Sequence, residues 1–449
     1  MNEQQEHVLD ELRQLAASGE VARFLAVARE LQPADLSDVL AGLEPDLQLR
    51  VVQTLPPEVV SEALAEMEEE EHPEELLAAL HPEDAADIVE ELEDDDAVDL
   101  IAELPVEQAA RILTHVADRA DIERLLVYDE ETAGGRMTAH VVAVPDRVSA
   151  GQAIDEVRRQ AEHVEEFYQI FVVDDEHRLV GILPLQRMVV AKPATLVRDL
   201  MEPPPVSAAP ELDQEEVARL MSRYNVPAVP VVGPDGKLLG RVTFDDVIDV
   251  VEAEQTEDLL KFGGGAGDEQ LAGTWQHAVR SRLPWLYLNL FTALFAGAVV
   301  LAFEDTISQI VALAAVMPIV AGLGGSAGTQ ALAVTVRRIA LGLIPARSGV
   351  TLVGKEMLVG LINGLAIGAA VGLVTVATGR PWELALVVMA AMWGSLIVAA
   401  TVGAAVPLML QRLGVDPAVA SSGFVTAVTD IAGFFILLGL AATLLLPGT

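Results

Sequence analysis

Cysteine is absent from this 449-residue chain, which excludes disulfides and thiolate metal sites. Basic residues are scarce. The chain has 28 Lys and Arg against 68 Asp and Glu, a formal net charge of −40, a surplus that repels nucleic acid and gathers cations. Enzyme signatures are missing too: there is no HExxH, P-loop or GxSxG, and no two of the eight histidines stand at metal-ligand spacing within an apolar stretch, so no enzyme is expected. The opening MNEQQEHVLDELRQ is polar and acidic. It has neither a basic n-region nor an apolar h-region, so no cleaved signal is expected and the soluble half should stay in the cytosol.

The charge is unevenly spread. Seven basic and six acidic residues follow residue 280, leaving 21 basic and 62 acidic in the first 280, a net of −41 there. The remainder holds five apolar segments, about 284–303, 307–333, 354–378, 384–410 and 423–446, each long enough to cross roughly 30 Å of hydrocarbon. Arg280, Arg282, Arg337, Arg338, Arg347, Lys355 and Arg412 flank one set of ends and Arg380 alone the other. With an odd number of spans, the positive-inside rule puts the N-terminus in the cytosol and the C-terminus outside. Asp430 lies in the last apolar stretch with no basic residue beside it. A carboxylate at membrane depth costs about 2.5–3.5 kcal/mol or more and usually faces a water- or ion-filled path.

The soluble half contains two repeats. Pro33, Asp35, Asp38, Leu43, Leu55, Pro56 and Glu58 recur as Pro82, Asp84, Asp87, Leu92, Leu104, Pro105 and Glu107 at a constant offset, predicting a small superhelix of matched helices. Residues 167–183 and 226–242 both read strand, polar turn, strand, each preceded by a helical stretch, and resemble a tandem CBS pair. The turn GPDGK lacks a full calcium-ligand series and reads as a hairpin turn. An acidic helix, Val247 to Phe262, runs to Gly263-Gly264-Gly265, and residues 268–282 form a candidate interfacial helix.

The second apolar segment contains MPIVAGLGGSAGTQ, 317–330. Its proline and glycines serve either close helix packing or the pointing of free carbonyls at a hydrated ion. Gly354, Gly360, Gly364, Gly368 and Gly372, mostly four apart, mark a helix contact.

This run, together with DPAVASSGFVTAVTD at 416–430 and the order of its parts, resembles the MgtE family of magnesium channels and transporters over essentially the whole chain. The family usually has Asn where Ser326 stands and Pro after Gly423, where this chain has Phe424. The implied fold is a multidomain membrane protein: an acidic all-α superhelical N domain (1–130), α/β CBS domains (131–195 and 196–250), a long connecting helix with linker (251–282), and a five-helix transmembrane domain (283–449). The resemblance implies Mg2+ uptake across the plasma membrane by a homodimer whose pore lies at the subunit interface. The pore picks are Asp430, Gly325, Ser326 and Ala427. A hydrated magnesium ion gives up its waters reluctantly, so paired carboxylates that bind it through those waters suit selection. It also implies closure by intracellular Mg2+ bound among Asp87, Glu91, Asp246, Asp249, Glu254, Glu257, Asp258 and Asp416, with Asp84, Glu90, Asp94 and Asp95 also facing the connecting helix. Thr243 and Asp246 keep the spacing with which CBS pairs often bind adenine nucleotides, whereas the first repeat has Pro184 and Arg187 there; ATP is a candidate ligand on the second repeat alone. The alternative is an ion-coupled carrier of Co2+ or Mn2+.

Overall fold

The computed structural model describes residues 12, 14, 15, 18, 21–29, 31–67, 71–117, 119–161, 167–263, 275–343, 349–419 and 422–446. It divides into two compact units, Met1–Glu252 and Ala253–Thr449.

In the first unit the repeat offset appears as helices. Pro33–Ala41, Pro45–Val52 and Pro57–Ala65 correspond to Pro82–Val89, Asp94–Glu103 and Val106–Leu113. Proline occupies the first helical turn of Pro33–Ala41, Pro45–Val52, Pro57–Ala65, Pro73–Ala79 and Pro82–Val89, where its fixed φ and missing N–H cost nothing. Each short helix buries one apolar stripe, such as Leu36, Val39 and Leu40 or Ala85, Ala86, Ile88 and Val89. These stripes share one core with Val229, Val231, Val242 and Val247 of the second CBS repeat.

The CBS pair carries β1 (Ala143–Pro145), β2 (Gln169–Val173) and β3 (Leu179–Pro184) in one sheet, and β4 (Ala228–Val232) and β5 (Leu238–Thr243) in another. β1 runs parallel to β2, and both hairpins are antiparallel. The repeat is exact in register: Val172 pairs with Gly181, and Val231 with Gly240. Both glycines have a chemical reason. A Cβ at Gly181 would stand 2.9 Å from the Glu202 carbonyl, and one at Gly240 2.5 Å from the Thr138 carbonyl, so neighbouring backbone can cross each hairpin only where no side chain exists. The GPDGK turn closes the β4–β5 hairpin, with Gly236 at φ +85°.

The connecting helix is continuous from Phe244 to Phe262, and the unit boundary falls within it. Gly264 and Gly265 lie outside the described residues.

In the second unit, five helices are long and apolar enough to span a membrane: Trp275–Ala302, Ala312–Ala340, Gly349–Ala377, Trp382–Arg412 and a last one at Ser422–Leu445. We refer to them as the first to fifth spans. Two expectations are corrected. Residues 275–282 are not part of a separate interfacial helix but the opening turns of the first span, which runs unbroken through Pro284; residues 268–274 lie outside the described residues. The segment drawn from residue 307 starts later, because Glu304–Gln309 forms its own short helix and the chain breaks at Ile310 before Ala312.

The fourth span is central. Half of its apolar window is buried within one chain, against 6% for the first. The third span docks on it through the glycine stripe: Cβ atoms at Gly360, Gly364 and Gly368 would stand 2.6, 3.0 and 2.8 Å from the carbonyls of Leu396, Trp393 and Met389. Trp393 Nε1 donates to the Leu361 carbonyl at 3.1 Å across the same contact. Gly354 meets nothing within 4 Å and is outside it.

Candidate ion pathway and sensing sites

The fifth span is positioned by small residues of the second. The helix Ala312–Ala340 continues through Pro318, so of the two readings of its glycine run the structure supports close packing rather than an unwound segment. A Cβ at Gly328 would lie 2.7 Å from Val425 Cγ1, and one at Gly325 3.2 Å from Thr426 Cγ2. Gly324 and Gly433 both abut Ser395 of the fourth span, whose Oγ is buried with no hydrogen-bond partner among the described residues. These contacts use the Val425, Thr429 and Gly433 side of the fifth span and fix its rotation.

At 100° per residue, Gly423, Ala427 and Asp430 share another face of that span. Asp430 Oδ1 is buried and has no hydrogen-bond partner among the described residues. Glu356, buried in the third span, at least has Lys355 at 3.8 Å. Of the remaining pore picks, Ala427 is buried within one chain, Gly325 sits in the span contact, and Ser326 is exposed.

In the second unit, the end of the connecting helix meets the same end of the bundle. Phe262 packs with Leu332, Val425, Val406 and Leu410, drawn from the second, fourth and fifth spans. Lys261 Nζ lies 2.8 Å from Asp416 Oδ2 and 2.5 Å from Glu257 Oε1. Burial works against the ammonium, but the two carboxylate hydrogen bonds outweigh it and raise Lys261 above its ordinary value. Burial, then the Asp416 charge, raise Asp258. Asp416 Oδ1 accepts from the Ala418 N–H at 2.8 Å, opening the short turn Pro417–Val419. Glu254 is partly buried one turn before Asp258.

In the first unit, the Asp94–Glu103 helix brings carboxylates to the start of the connecting helix. Asp95 is 7% exposed, and its Oδ1 has no hydrogen-bond partner among the described residues. Burial, then Asp246, Asp96 and Glu93, hold Asp95 well above the usual carboxylate range. Burial first, and Asp246 next, push Asp96 up to about 8. Burial also raises Asp246 against the hydrogen bond from the Thr243 hydroxyl. Asp249, more open, is raised by burial and then by Glu252. Beside them Asp94 is satisfied: it accepts from the Ala139 N–H at 3.0 Å and pairs with His140 at 3.0 Å.

Asp87 and Glu91 stay exposed on their own side, outside this buried group. Glu93 and Asp96 were missed by sequence reasoning; their only signal was the run Glu93 to Asp96, too dense to rank by pattern. Among the described residues, no three His, Asp or Glu side chains converge closely enough to cage a bare ion.

A cleft lined by Glu93, Tyr168, Gln169, Phe171, Arg241, Thr243 and Asp245 lies in the CBS pair. Thr243 lines it, and Asp246 turns its carboxylate onto the Thr243 hydroxyl. In the first repeat Arg187 is engaged by Glu202 and the Leu200 carbonyl. The cleft holds about 30 Å³, so the lining side chains must part before a nucleotide can enter.

The MgtE divalent cation transporter domain matches residues 317–440, the MgtE intracellular N domain residues 31–131, and CBS domains residues 133–192 and 197–253. The magnesium transporter MgtE of Thermus thermophilus is 38% identical over 338 residues, 73% of each chain, and that of Bacillus subtilis 35% identical over 320 residues, 71% of each. The chain belongs to the MgtE family. Two solved structures are similar to its soluble half: the soluble part of a magnesium transporter (30% identity, TM-score 0.52, 56% of this chain and 99% of that one) and the cytosolic domain of the Mg2+ channel MgtE in complex with ATP (35%, 0.51, 54% and 99%). The segments matched to MgtE domains contain Gly324 to Gly328 with Asp430 in the membrane part and Asp95 with Asp96 in the N domain, and the second CBS match contains Thr243 with Asp246.

Proposed function

We propose that this MgtE-family chain is a Mg2+-selective channel or transporter that admits magnesium across the plasma membrane as a homodimer and is closed by intracellular Mg2+. The observation that carries the reading is Asp430, a carboxylate at membrane depth whose Oδ1 is buried with no hydrogen-bond partner among the described residues, on a face whose rotation is fixed by glycine contacts behind it. An unpaired acid there is costly unless it meets cation or water. Two such acids across a symmetric interface supply charge to a hydrated dication without stripping its waters.

The homodimer is supported by how much one chain leaves uncovered. Only 6% of the first span's apolar window is buried within one chain, and Phe244, Ile248 and Val251 form an exposed apolar stripe at i, i+4 and i+7 on the connecting helix. The regulatory reading rests on the two carboxylate groups, Asp95, Asp96 and Asp246 in one unit and Glu257, Asp258 and Asp416 in the other. Each group repels itself when ionised and is relieved by a divalent cation. Asp249 and Glu254 extend them along the connecting helix, while Asp87 and Glu91 remain weaker members. ATP is a candidate for the CBS cleft, as in the relative solved with it. The reading includes no catalytic step, a cytosolic soluble half and an external C-terminus, the last two supported by the basic residues at one set of span ends.

Currents through the purified protein in planar bilayers test this reading. Discrete Mg2+ openings that disappear as Mg2+ rises on the soluble-domain side are expected. Flux that needs a proton or sodium gradient, or that prefers Co2+ or Mn2+, would establish the carrier alternative instead.

A further inference from the structure

The first span has one side-chain amide between Leu283 and Ala302, that of Asn289. Thr292 is already occupied, its hydroxyl donating to the Asn289 carbonyl at 2.9 Å within the helix. An amide among apolar side chains at this depth is costly unless it meets polar partners. Asn289 is not turned fully outward: it is partly buried, and its side chain lies on Gly423 of the fifth span. A Cβ at Gly423 would stand 2.6 Å from Asn289 Oδ1 and 2.9 Å from Nδ2, so both ends of the amide occupy the room that a side chain at 423 would take.

That contact falls on the face that matters. Gly423, Ala427 and Asp430 line one side of the fifth span, and seven residues of helix place Gly423 about 10 Å from Asp430 along the axis. The fifth span itself offers only a methyl group at 427 and nothing at 423. Thr426 of the same span turns toward Gly325 of the second span, and the polar group set against Gly423 is the Asn289 amide.

We propose that Asn289 is a selectivity-determining residue of the ion path, its amide oxygen accepting hydrogen bonds from the waters of the hydrated dication two turns from Asp430. This rests on the reading of Asp430 as the pore acid. The water molecules around a dication point their hydrogens outward, which an amide oxygen accepts and an alkyl side chain does not. Being uncharged, the amide holds the ion more weakly than a carboxylate, so an ion can leave Asp430 past it without a second trap.

The test uses the full chain in proteoliposomes, with Mg2+ and Co2+ uptake measured as half-saturation and maximal rate. Asn289→Leu, which keeps the branched side-chain skeleton without its polar atoms, should lower Mg2+ uptake about tenfold, the worth of a lost hydrogen bond to a charged partner's waters, and reduce the preference for Mg2+ over Co2+. Gly423→Ala, which displaces the amide while leaving it in the chain, should move both quantities the same way. Asn289→Asp should bind Mg2+ more tightly but pass it more slowly. Should Asn289→Leu fail to yield a monodisperse protein, Asn289→Ser and Gly423→Ala decide. Wild-type half-saturation and selectivity in folded variants would overturn the proposal. Asp430→Asn, run alongside, separates the failures: if it transports normally, the pore reading itself falls; if it is inactive while the Asn289 variants behave as wild type, only the role of Asn289 falls.

Discussion

Lys261 Nζ and Asp416 Oδ2 stand 2.8 Å apart, joining the last turn of the connecting helix to the approach of the fifth span within one unit. With Glu257 at 2.5 Å, the ammonium occupies the middle of a carboxylate group that would otherwise attract a divalent cation. Both carboxylates are 38–41% exposed, so solvent screens the pairs and each is worth on the order of 1 kcal/mol or less. Lys261→Gln should therefore make the contact depend on Mg2+: more current when Mg2+ is absent from the soluble-domain side, and closure at lower Mg2+ once it is added. Stepping Mg2+ across excised patches measures this, and an unchanged closing curve would show that the ammonium does not compete.

Acidity should stabilise the soluble half when no divalent cation is present. Asp95, Asp96 and Asp246 are all raised, with Asp96 lifted from 3.8 to about 8. For a raised carboxylate, stability is full below its ordinary value and declines as pH climbs through the raised one, at up to about 1.4 kcal/mol per pH unit and group. His140, raised by its hydrogen bond to Asp94, adds stability that is present below its ordinary value and lost as pH rises through the raised one. Melting temperature in EDTA should thus fall between about pH 5 and about pH 8, and millimolar Mg2+ should flatten that fall. Mg2+ binding near neutrality should release protons, visible as calorimetric heats that differ between buffers of different ionisation enthalpy. Equal heats would contradict this.

Removing the buried Asp95 carboxyl should expose the trade between charge and cation. Asp95→Asn relieves the repulsion and should stabilise the soluble half in EDTA, by about 1–3 kcal/mol at most, seen as a higher melting temperature, while shrinking the further rise on adding Mg2+. A variant destabilised in EDTA and still fully responsive to Mg2+ would place the cation elsewhere.

The third and fourth spans should tolerate no branching along their shared stripe. Gly360→Val puts atoms where the Leu396 carbonyl already lies, and overpacking of this kind costs about 1–3 kcal/mol. Thermal unfolding in detergent should show the loss, whereas Gly354→Val, which faces open space, should not.

Much of this architecture could be read from pattern because the pattern is periodic. The fixed offset of the N-domain repeat became matched helices, and the Val–Gly offsets of the CBS repeats became identical strand registers. The glycine stripe Gly360 to Gly372 became a helix contact. Segment ends were harder, since Trp275 to Arg282 is polar enough to end an apolar stretch yet continues the same helix. The sites were partly legible. Asp430 stands alone in its apolar stretch and was conspicuous, but Asp96 and Glu93 sit in an acidic run where only burial against Asp246 separates them from Asp87 and Glu91. Lys261 gave no signal, because its importance comes from Asp416, 155 residues away. Asn289 likewise matters only through the absence of a side chain at Gly423.

Selective magnesium passage through Asp430→Asn tests the central claim most directly. This variant keeps the shape of the side chain and removes its charge. With the dimer intact by size-exclusion chromatography, Mg2+ uptake into proteoliposomes should fall to background or lose its selectivity over Co2+. Wild-type uptake with wild-type selectivity would contradict the account.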